Sequence, residues 1–187
     1  LVGMCDINEE RGKKTAKINE IKFSKFKIDL EDSKFLEMYG ALIGDGWLCN
    51  PQKNNKWVVG ICGNLKLDKE YLLYCRNLLT HITERKGYLF EKPKNNVIEF
   101  RFQHKRFFKI LNEELNFPAG LKENLKIPYQ LYSLRYDKLK FIIRGIFDTD
   151  GSFYIGKNSK GMRTCPCISL HMKEPVLLKQ IADILKK

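Results

Sequence analysis

The sequence lacks any long apolar run. None of its stretches approaches the ~20 consecutive apolar residues that a membrane-spanning helix needs, although 43% of the 187 residues are hydrophobic, as in a globular protein. It also begins without a signal peptide. The first residue, Leu1, is not Met, so we expect the chain to be a piece of a longer protein. These features predict a globular protein with no membrane partner.

Pairs of cysteine or histidine at metal-binding spacing are also missing. Cys165 and Cys167 flank a proline, but no second pair lies at the spacing of a zinc site. The six cysteines mostly have apolar neighbours, as at Cys62 and Cys75, which is typical of small core residues in a reducing compartment. We therefore expect neither disulfides nor structural zinc.

Acidic residues are too few to balance the basic ones. The chain has 22 Asp and Glu against 34 Lys and Arg, a net charge of +12. Clustered Lys and Arg favour a polyanion because they displace counterions from a phosphate backbone. Nucleic acid is the leading partner, an anionic membrane surface the weaker one, and a merely solubilising charge the third interpretation. The lysine-rich residues 1–30 form either a solvated arm or a DNA-contacting extension.

The apolar periodicity predicts one element order that occurs twice. Residues 33–115 are interpreted as helix, two strands, helix, two strands and helix, and from 138 the order begins again. The predicted domains are a basic arm (1–30), a first repeat (31–115), a connector (116–137) and a second, incomplete repeat (138–187). The expected fold class is α+β, with tandem αββαββα repeats related by a pseudo-twofold axis and an antiparallel saddle.

Each repeat opens with a nine-residue motif that ends in Asp-Gly, at 38–46 and at 143–151. Small residues recur four apart, Gly40 with Gly44 and Gly145 with Thr149. They lie on one helix face and permit close approach of a second helix. The natural partner of each motif helix is the other one, which would bring Asp45 and Asp150 together.

Two carboxylates at two helix C-termini repel each other and the negative helix ends, which raises their pKa values unless cations neutralise them. Hard oxygen ligands suit Mg²⁺, with Mn²⁺ as the substitute, and a metal pair can activate water for phosphodiester hydrolysis. A single Asp-Gly after an apolar helix would be an ordinary helix end. Two copies that open the same element order favour a functional site.

The two motifs, the element order and the connector segment 124–128 resemble the LAGLIDADG homing endonucleases, in particular the single-chain, two-repeat type of archaeal introns and inteins. The resemblance covers residues 33–187. It implies a monomer with an internal pseudo-dimer, which binds double-stranded DNA in the major groove through a strand saddle. It further implies cleavage across the minor groove with short 3′ overhangs.

Carried over by position, the resemblance makes Asp45 and Asp150 the metal-binding catalytic acids. Gly44 and Thr149 stand beside them as further metal contacts through their carbonyls. Lys173 is the catalytic lysine that the resemblance implies near the metals, although a surface lysine at a helix start is the alternative. Asn64 holds the matching place in the first repeat.

The predicted strand 97–103 alternates, with Glu99, Arg101 and Gln103 on the face opposite its apolar residues. Arg pairs with guanine and Gln with adenine in the major groove, so this face is interpreted as DNA-reading, a solvated sheet surface being the alternative. Basic residues near the hairpin ends are expected to contact phosphates: Lys53, Lys56, Lys86, Lys92, Lys94, Lys157, Lys160 and Arg163.

Together these features predict a Mg²⁺-dependent, site-specific double-strand DNA endonuclease that serves intron or intein mobility. Its location would be the cytoplasm, at the nucleoid, or an organelle of a eukaryotic host. The alternative is a non-cutting binder on the same fold, either an RNA-splicing maturase or a transcription regulator. A basic structural domain would leave the doubled motif unexplained.

Overall fold

The computed structural model describes residues 26–49, 56–157 and 159–186, without the side chains of Arg163 and Thr164. Its elements follow the predicted order: α1 Ser33–Asp45, β1 Gly46–Leu48, β2 Val58–Asn64, α2 Lys69–Thr83, β3 Tyr88–Lys92, β4 Val97–Gln103, α3 Lys105–Lys109, α4 Tyr129–Tyr132, α5 Tyr136–Asp150, β5 Gly151–Lys157, β6 Arg163–Leu170 and α6 Pro175–Leu185. The α+β fold class is confirmed. Among the described helices, none is both long enough and apolar enough to cross a bilayer.

The motif helix α1 starts and ends where its residues require. Asp32 caps it, since its carboxylate accepts a hydrogen bond from the Lys34 amide at 3.0 Å. At the other end Gly46 has an extended backbone, so it is not needed for a left-handed turn. A Cβ atom there would lie 2.4 Å from the Leu42 Cα. Glycine therefore lets the chain pass directly from helix to strand.

The second motif helix, α5, ends in the same way. Gly151 is extended, its N–H donates to the Phe147 carbonyl, and a Cβ atom there would lie 2.4 Å from that oxygen. Strand β5 follows at once. The two Asp-Gly pairs are thus equivalent junctions between a helix and a strand.

The first repeat carries a four-stranded antiparallel sheet in the order β1-β2-β4-β3. Its core face holds Ile61, Ile98, Phe100 and Phe102, each at most 2% exposed, and it packs against α1 and α2. In the described part of the second repeat, β5 and β6 form a two-stranded sheet.

The structure differs from the sequence prediction in two places. The helix predicted over 105–115 is α-helical only to Lys109 and continues as a π-helix, Ile110–Glu114. The wider turn is closed by the Leu115 N–H, which donates to the Ile110 carbonyl at 2.9 Å and leaves Leu115 and Phe117 buried. The connector also holds a short helix, α4, that was not predicted. The predicted turn at 50–55 and the arm before residue 26 lie outside the described residues.

Candidate metal centre and nucleic-acid surface

The motif helices α1 and α5 pack through their glycines. A Cβ atom on Gly40 would lie 2.2 Å from the Ile142 carbonyl oxygen, and one on Gly145 would lie 2.1 Å from the Glu37 carbonyl oxygen. No real Cβ contact is this short, so the two backbones touch because neither position carries a side chain. The helix pairing predicted from the small residues is present.

The close contact continues to the ends of the helices, where the acids lie. A Cβ atom on Gly44 would lie 2.0 Å from the Thr149 hydroxyl oxygen and 3.3 Å from the Asp150 carboxyl carbon. Asp150 therefore stands beside the residue that precedes Asp45. The Thr149 hydroxyl donates into its own helix, to the carbonyls of Gly145 and Ile146, each at 3.0 Å.

The electrostatics show that the two carboxyl groups share one site. The pKa of Asp45 is raised to about 6, first by burial and then by the negative charge of Asp150. Burial also raises the pKa of Asp150. A positive charge from Lys122 opposes both shifts but does not cancel them. The site thus has an excess of negative charge at neutral pH.

Lys122 is the functional residue that the sequence analysis missed. Its ammonium group donates to the carbonyl oxygens of Ile43 (3.0 Å) and Leu42 (3.4 Å), and most closely to that of Gly44. A cation is favourable at these unpaired carbonyls of a helix C-terminus. Burial lowers the pKa of Lys122, while Asp150 and Asp45 raise it.

The connector that carries Lys122 is fixed to both repeats. The Gly120 N–H donates to the Leu48 carbonyl of β1 at 2.9 Å. Further along, Ile127 exchanges two hydrogen bonds with the Gln180 side chain of α6, at 2.8 and 2.9 Å. A connector residue therefore reaches the site through specific tertiary contacts.

Lys173, the lysine expected at the site, lies exposed on the bend after β6. Pairing of Gly46 with Ile61 and of Gly151 with Leu170 makes Lys173 and Asn64 equivalent, each three residues past its paired position. Lys122, not Lys173, is the lysine whose charge acts on the described carboxylates. Asn64 instead accepts hydrogen bonds from the Lys66 and Leu67 amides.

A second acid of the motif, Asp148, lies on the flank of the helix pair. Its carboxylate is 3.7 Å from Arg144, which also pairs with the buried Glu37 at 3.3 Å. Glu37 accepts a further hydrogen bond from the Tyr74 hydroxyl at 2.7 Å. A cavity of about 380 Å³ connects this flank with Asp45. The polar cluster ties α1 to α5 and to α2.

The residues expected to contact DNA fall into two groups. Seven are exposed at strand ends or loops: Lys56, Lys86, Lys94, Gln103, Lys157, Lys160 and, at the edge of β2, the chain leading from it. The carboxylate of Glu99, in contrast, is only 10% exposed and is paired with Lys92 and Arg101. Lys53 and the side chain of Arg163 lie outside the described residues.

This arrangement, with two motif helices packed through glycines and an antiparallel sheet following each, is a fold shared with solved homing endonucleases. A structure of mesophilic variants of the homing endonuclease I-DmoI matches 84% of this chain and 78% of its own, with a TM-score of 0.53 and 15% identity. Two more distant matches are a mutant of I-SmaMI, with a TM-score of 0.47, 12% identity and coverage of 87% and 73%, and I-WcaI bound to its DNA recognition sequence, with 0.48, 17%, 90% and 72%.

At this level of identity the likeness to I-DmoI establishes the fold. No protein-family profile matches the chain, and no curated protein sequence matches it.

Proposed function

We propose that this chain is a site-specific endonuclease of the LAGLIDADG homing type that hydrolyses both strands of DNA with divalent metal ions. The observation that carries the proposal is the convergence of Asp45 and Asp150 at the paired helix ends, beside Lys122. A structural role does not account for it, because two carboxylates that share a site disfavour each other's ionised form.

The residues at this site fit a Mg²⁺ ion. Within the described residues, no three His, Cys, Asp or Glu side chains converge to form a closed metal site. Two carboxylates with open positions suit Mg²⁺, which retains water and takes further ligands from substrate phosphates. The raised pKa of Asp45 shows that the site lacks positive charge. Asp45 and Asp150 would therefore hold the metal, with Mn²⁺ as a substitute.

When bound, divalent metal supplies the activated water and the stabilisation of charge at the reacting phosphate. The chain's own residues prepare this site. The glycine contacts between α1 and α5 fix the separation of the two acids. Lys122 favours the ionised form of both, which is the form that binds metal. The Gly44 carbonyl is engaged by Lys122, so Gly44 and Thr149 remain secondary candidates for metal contact, and Lys173 a candidate for later contact with DNA.

The net charge of +12 and the exposed lysines around the sheet support double-stranded DNA as the substrate. By the same resemblance we propose that the enzyme acts as a monomer in the mobility of an intron or intein.

The test is a cleavage selection on a library of plasmids that carry randomised duplex inserts. With Mg²⁺, the wild-type chain should enrich linear products with ends at one defined sequence, and EDTA should prevent this. The double variant Asp45→Asn/Asp150→Asn should cut none of the selected duplex, yet bind it in a gel-shift assay. Cutting by the double variant would refute the assignment of the acids, and binding by the wild type without any cutting would favour the maturase or regulator alternative.

A further inference from the structure

The face of the four-stranded sheet that points away from the core has an arginine at its centre. Arg101 on β4 lies opposite Gly60 on β2 and Tyr88 on β3, and Gly60 in turn lies opposite Trp47 on β1. Directly paired residues project to the same side of a sheet. One row across all four strands therefore holds Trp47, Arg101 and Tyr88 around a glycine.

The guanidinium of Arg101 is held from below by a buried acid. Glu99, two residues earlier on β4, is 7% exposed. Its Oε2 atom accepts a hydrogen bond from the Arg101 Nε at 2.7 Å and a second from Nη2. Its Oε1 atom accepts from the Lys92 ammonium. The carboxylate is thus occupied by two cations and serves to orient them.

Aromatic rings hold the guanidinium from the sides. Its central carbon lies 4.9 Å from the centre of the Phe90 ring and 5.9 Å from that of Trp47, within the range of cation–π attraction. Trp47 can lie across the sheet only because Gly60 has no side chain, since a Cβ atom there would be 2.4 Å from the indole Cε2. The arginine is therefore fixed in orientation before any ligand binds.

This orientation leaves one edge of the guanidinium available. Arg has five N–H donors, and Glu99 engages only those at Nε and Nη2. The edge formed by Nη1 and the second hydrogen of Nη2 presents two parallel donors. The side chain is 31% exposed, on the face that carries the exposed Tyr88 and Phe90 rings. Two parallel donors match the O6 and N7 acceptors of guanine in the major groove.

We propose that Arg101 determines specificity by reading a guanine in the target duplex, and that Glu99 is its positioning residue. The inference rests on the proposed function only in taking duplex DNA as the ligand, since it does not require cutting. It assigns Glu99 and Lys92 to orientation and charge balance instead of base recognition.

The experiment is an affinity selection on randomised DNA duplexes in EDTA, which separates reading from cleavage. The wild-type chain should enrich a guanine at one position. Arg101→Lys should lose that preference alone and bind the wild-type consensus about 10-fold more weakly, the effect of one bidentate base contact. Glu99→Gln should relax the same position with Arg101 still present. Gln103→Ala, on the same strand and face, is the matched control and should leave this guanine selected.

Thermal melts of each variant establish that it is folded, and Arg101→Gln provides a second removal of the donors if Arg101→Lys is unstable. Unchanged guanine preference in folded Arg101→Lys and Arg101→Gln would overturn the proposal. An equal loss of affinity for every sequence would also overturn it, because that is the signature of a phosphate contact. A guanine preference in a protein that never cuts would leave this inference standing and remove the proposed nuclease activity, whereas failure to enrich any duplex would remove both.

Discussion

Gly40 and Gly145 face each other across the motif helices, so that a Cβ atom on Gly40 would lie 3.0 Å from the Gly145 Cα. The distance between the two acids downstream depends on this contact, since both helices are continuous from it to Asp45 and Asp150. Helix packing and the geometry of the site are therefore one property of the chain.

The first prediction concerns Gly145→Ala. The added Cβ would meet backbone atoms of α1, the Glu37 carbonyl oxygen at 2.1 Å and the Ala41 nitrogen at 2.6 Å, which cannot move without separating the helices. We expect the free energy of unfolding to fall by about 2–3 kcal/mol, measured by urea denaturation followed by circular dichroism. DNA cleavage should fall with it.

Gly44→Ala provides the comparison, because its added Cβ would meet the Thr149 side chain. Adding Thr149→Gly should restore part of the stability of Gly44→Ala, whereas no truncation of a side chain on α1 should rescue Gly145→Ala. A Gly145→Ala variant as stable as the wild type would show that the helices are not in backbone contact.

A second prediction concerns Lys122→Met, which removes the positive charge beside the carboxylates while keeping most of the side-chain volume. The ionised acids lose a favourable neighbour, and we expect the single-turnover cleavage rate to fall about 100-fold, the size of effect seen when one electrostatic contact is lost from an active site. Lys126→Met, an exposed lysine of the same connector, should cleave at the wild-type rate. Equal rates for the two variants would remove Lys122 from the site.

Asp45→Asn should stabilise the metal-free protein. The folded-state pKa of Asp45 is raised from 3.8 to about 6, so its ionised form is disfavoured by folding, and the wild type loses stability as the pH rises through this interval. The gain in the variant should be fully present above pH 6 and absent below about pH 4. Solvent screening reduces it to about 1 kcal/mol.

Thermal melts in EDTA across this pH range measure the effect, with Glu123→Gln, at an exposed connector position, as the control. Mg²⁺ should raise the melting temperature of the wild type more than that of Asp45→Asn. A destabilised Asp45→Asn at neutral pH would show that the two carboxylates do not repel each other.

A pH effect of opposite sign is expected from His104. Burial lowers the pKa of this histidine to about 4, with a contribution from Arg85, and its Nδ1 accepts a hydrogen bond from the Phe107 amide at the start of α3. In the unfolded chain the imidazole is protonated below about pH 6.5. Stability should therefore fall by about 2–3 kcal/mol as the pH drops from 6.5 to 4.

His104→Asn keeps a side-chain acceptor for the helix start and should flatten this pH dependence in urea titrations at fixed pH values. His171→Asn, which replaces an exposed histidine, should leave it unchanged. Persistence of the full acid loss in His104→Asn would assign it to other groups.

The parts of the fold that the sequence predicted well depend on local patterns. Apolar spacing located α1 and α5, and the alternation over 97–103 correctly predicted the burial of Ile98, Phe100 and Phe102. The small residues of the motifs were sufficient to pair the helices, because few side chains allow two backbones to touch.

What could not be predicted depends on contacts between distant segments. Lys122 lies 77 residues after Asp45, outside both repeats, and only the bonds of Gly120 and Ile127 direct its segment towards the helix ends. Its single sequence signal is a lysine close to a Pro- and Gly-containing connector, which many loops share. Likewise, alternation placed Glu99 on the DNA-facing side but could not show that Lys92 and Arg101 already occupy its carboxylate.

The connector has a mechanical consequence, because it is bonded at one end to β1 and at the other to α6. A rotation of one half of the protein against the other pulls on this strap and shifts the Lys122 ammonium relative to the carboxylates. The charge balance of the site therefore responds to the relative tilt of the two halves, so that a duplex that bends or spreads them would also retune its acids.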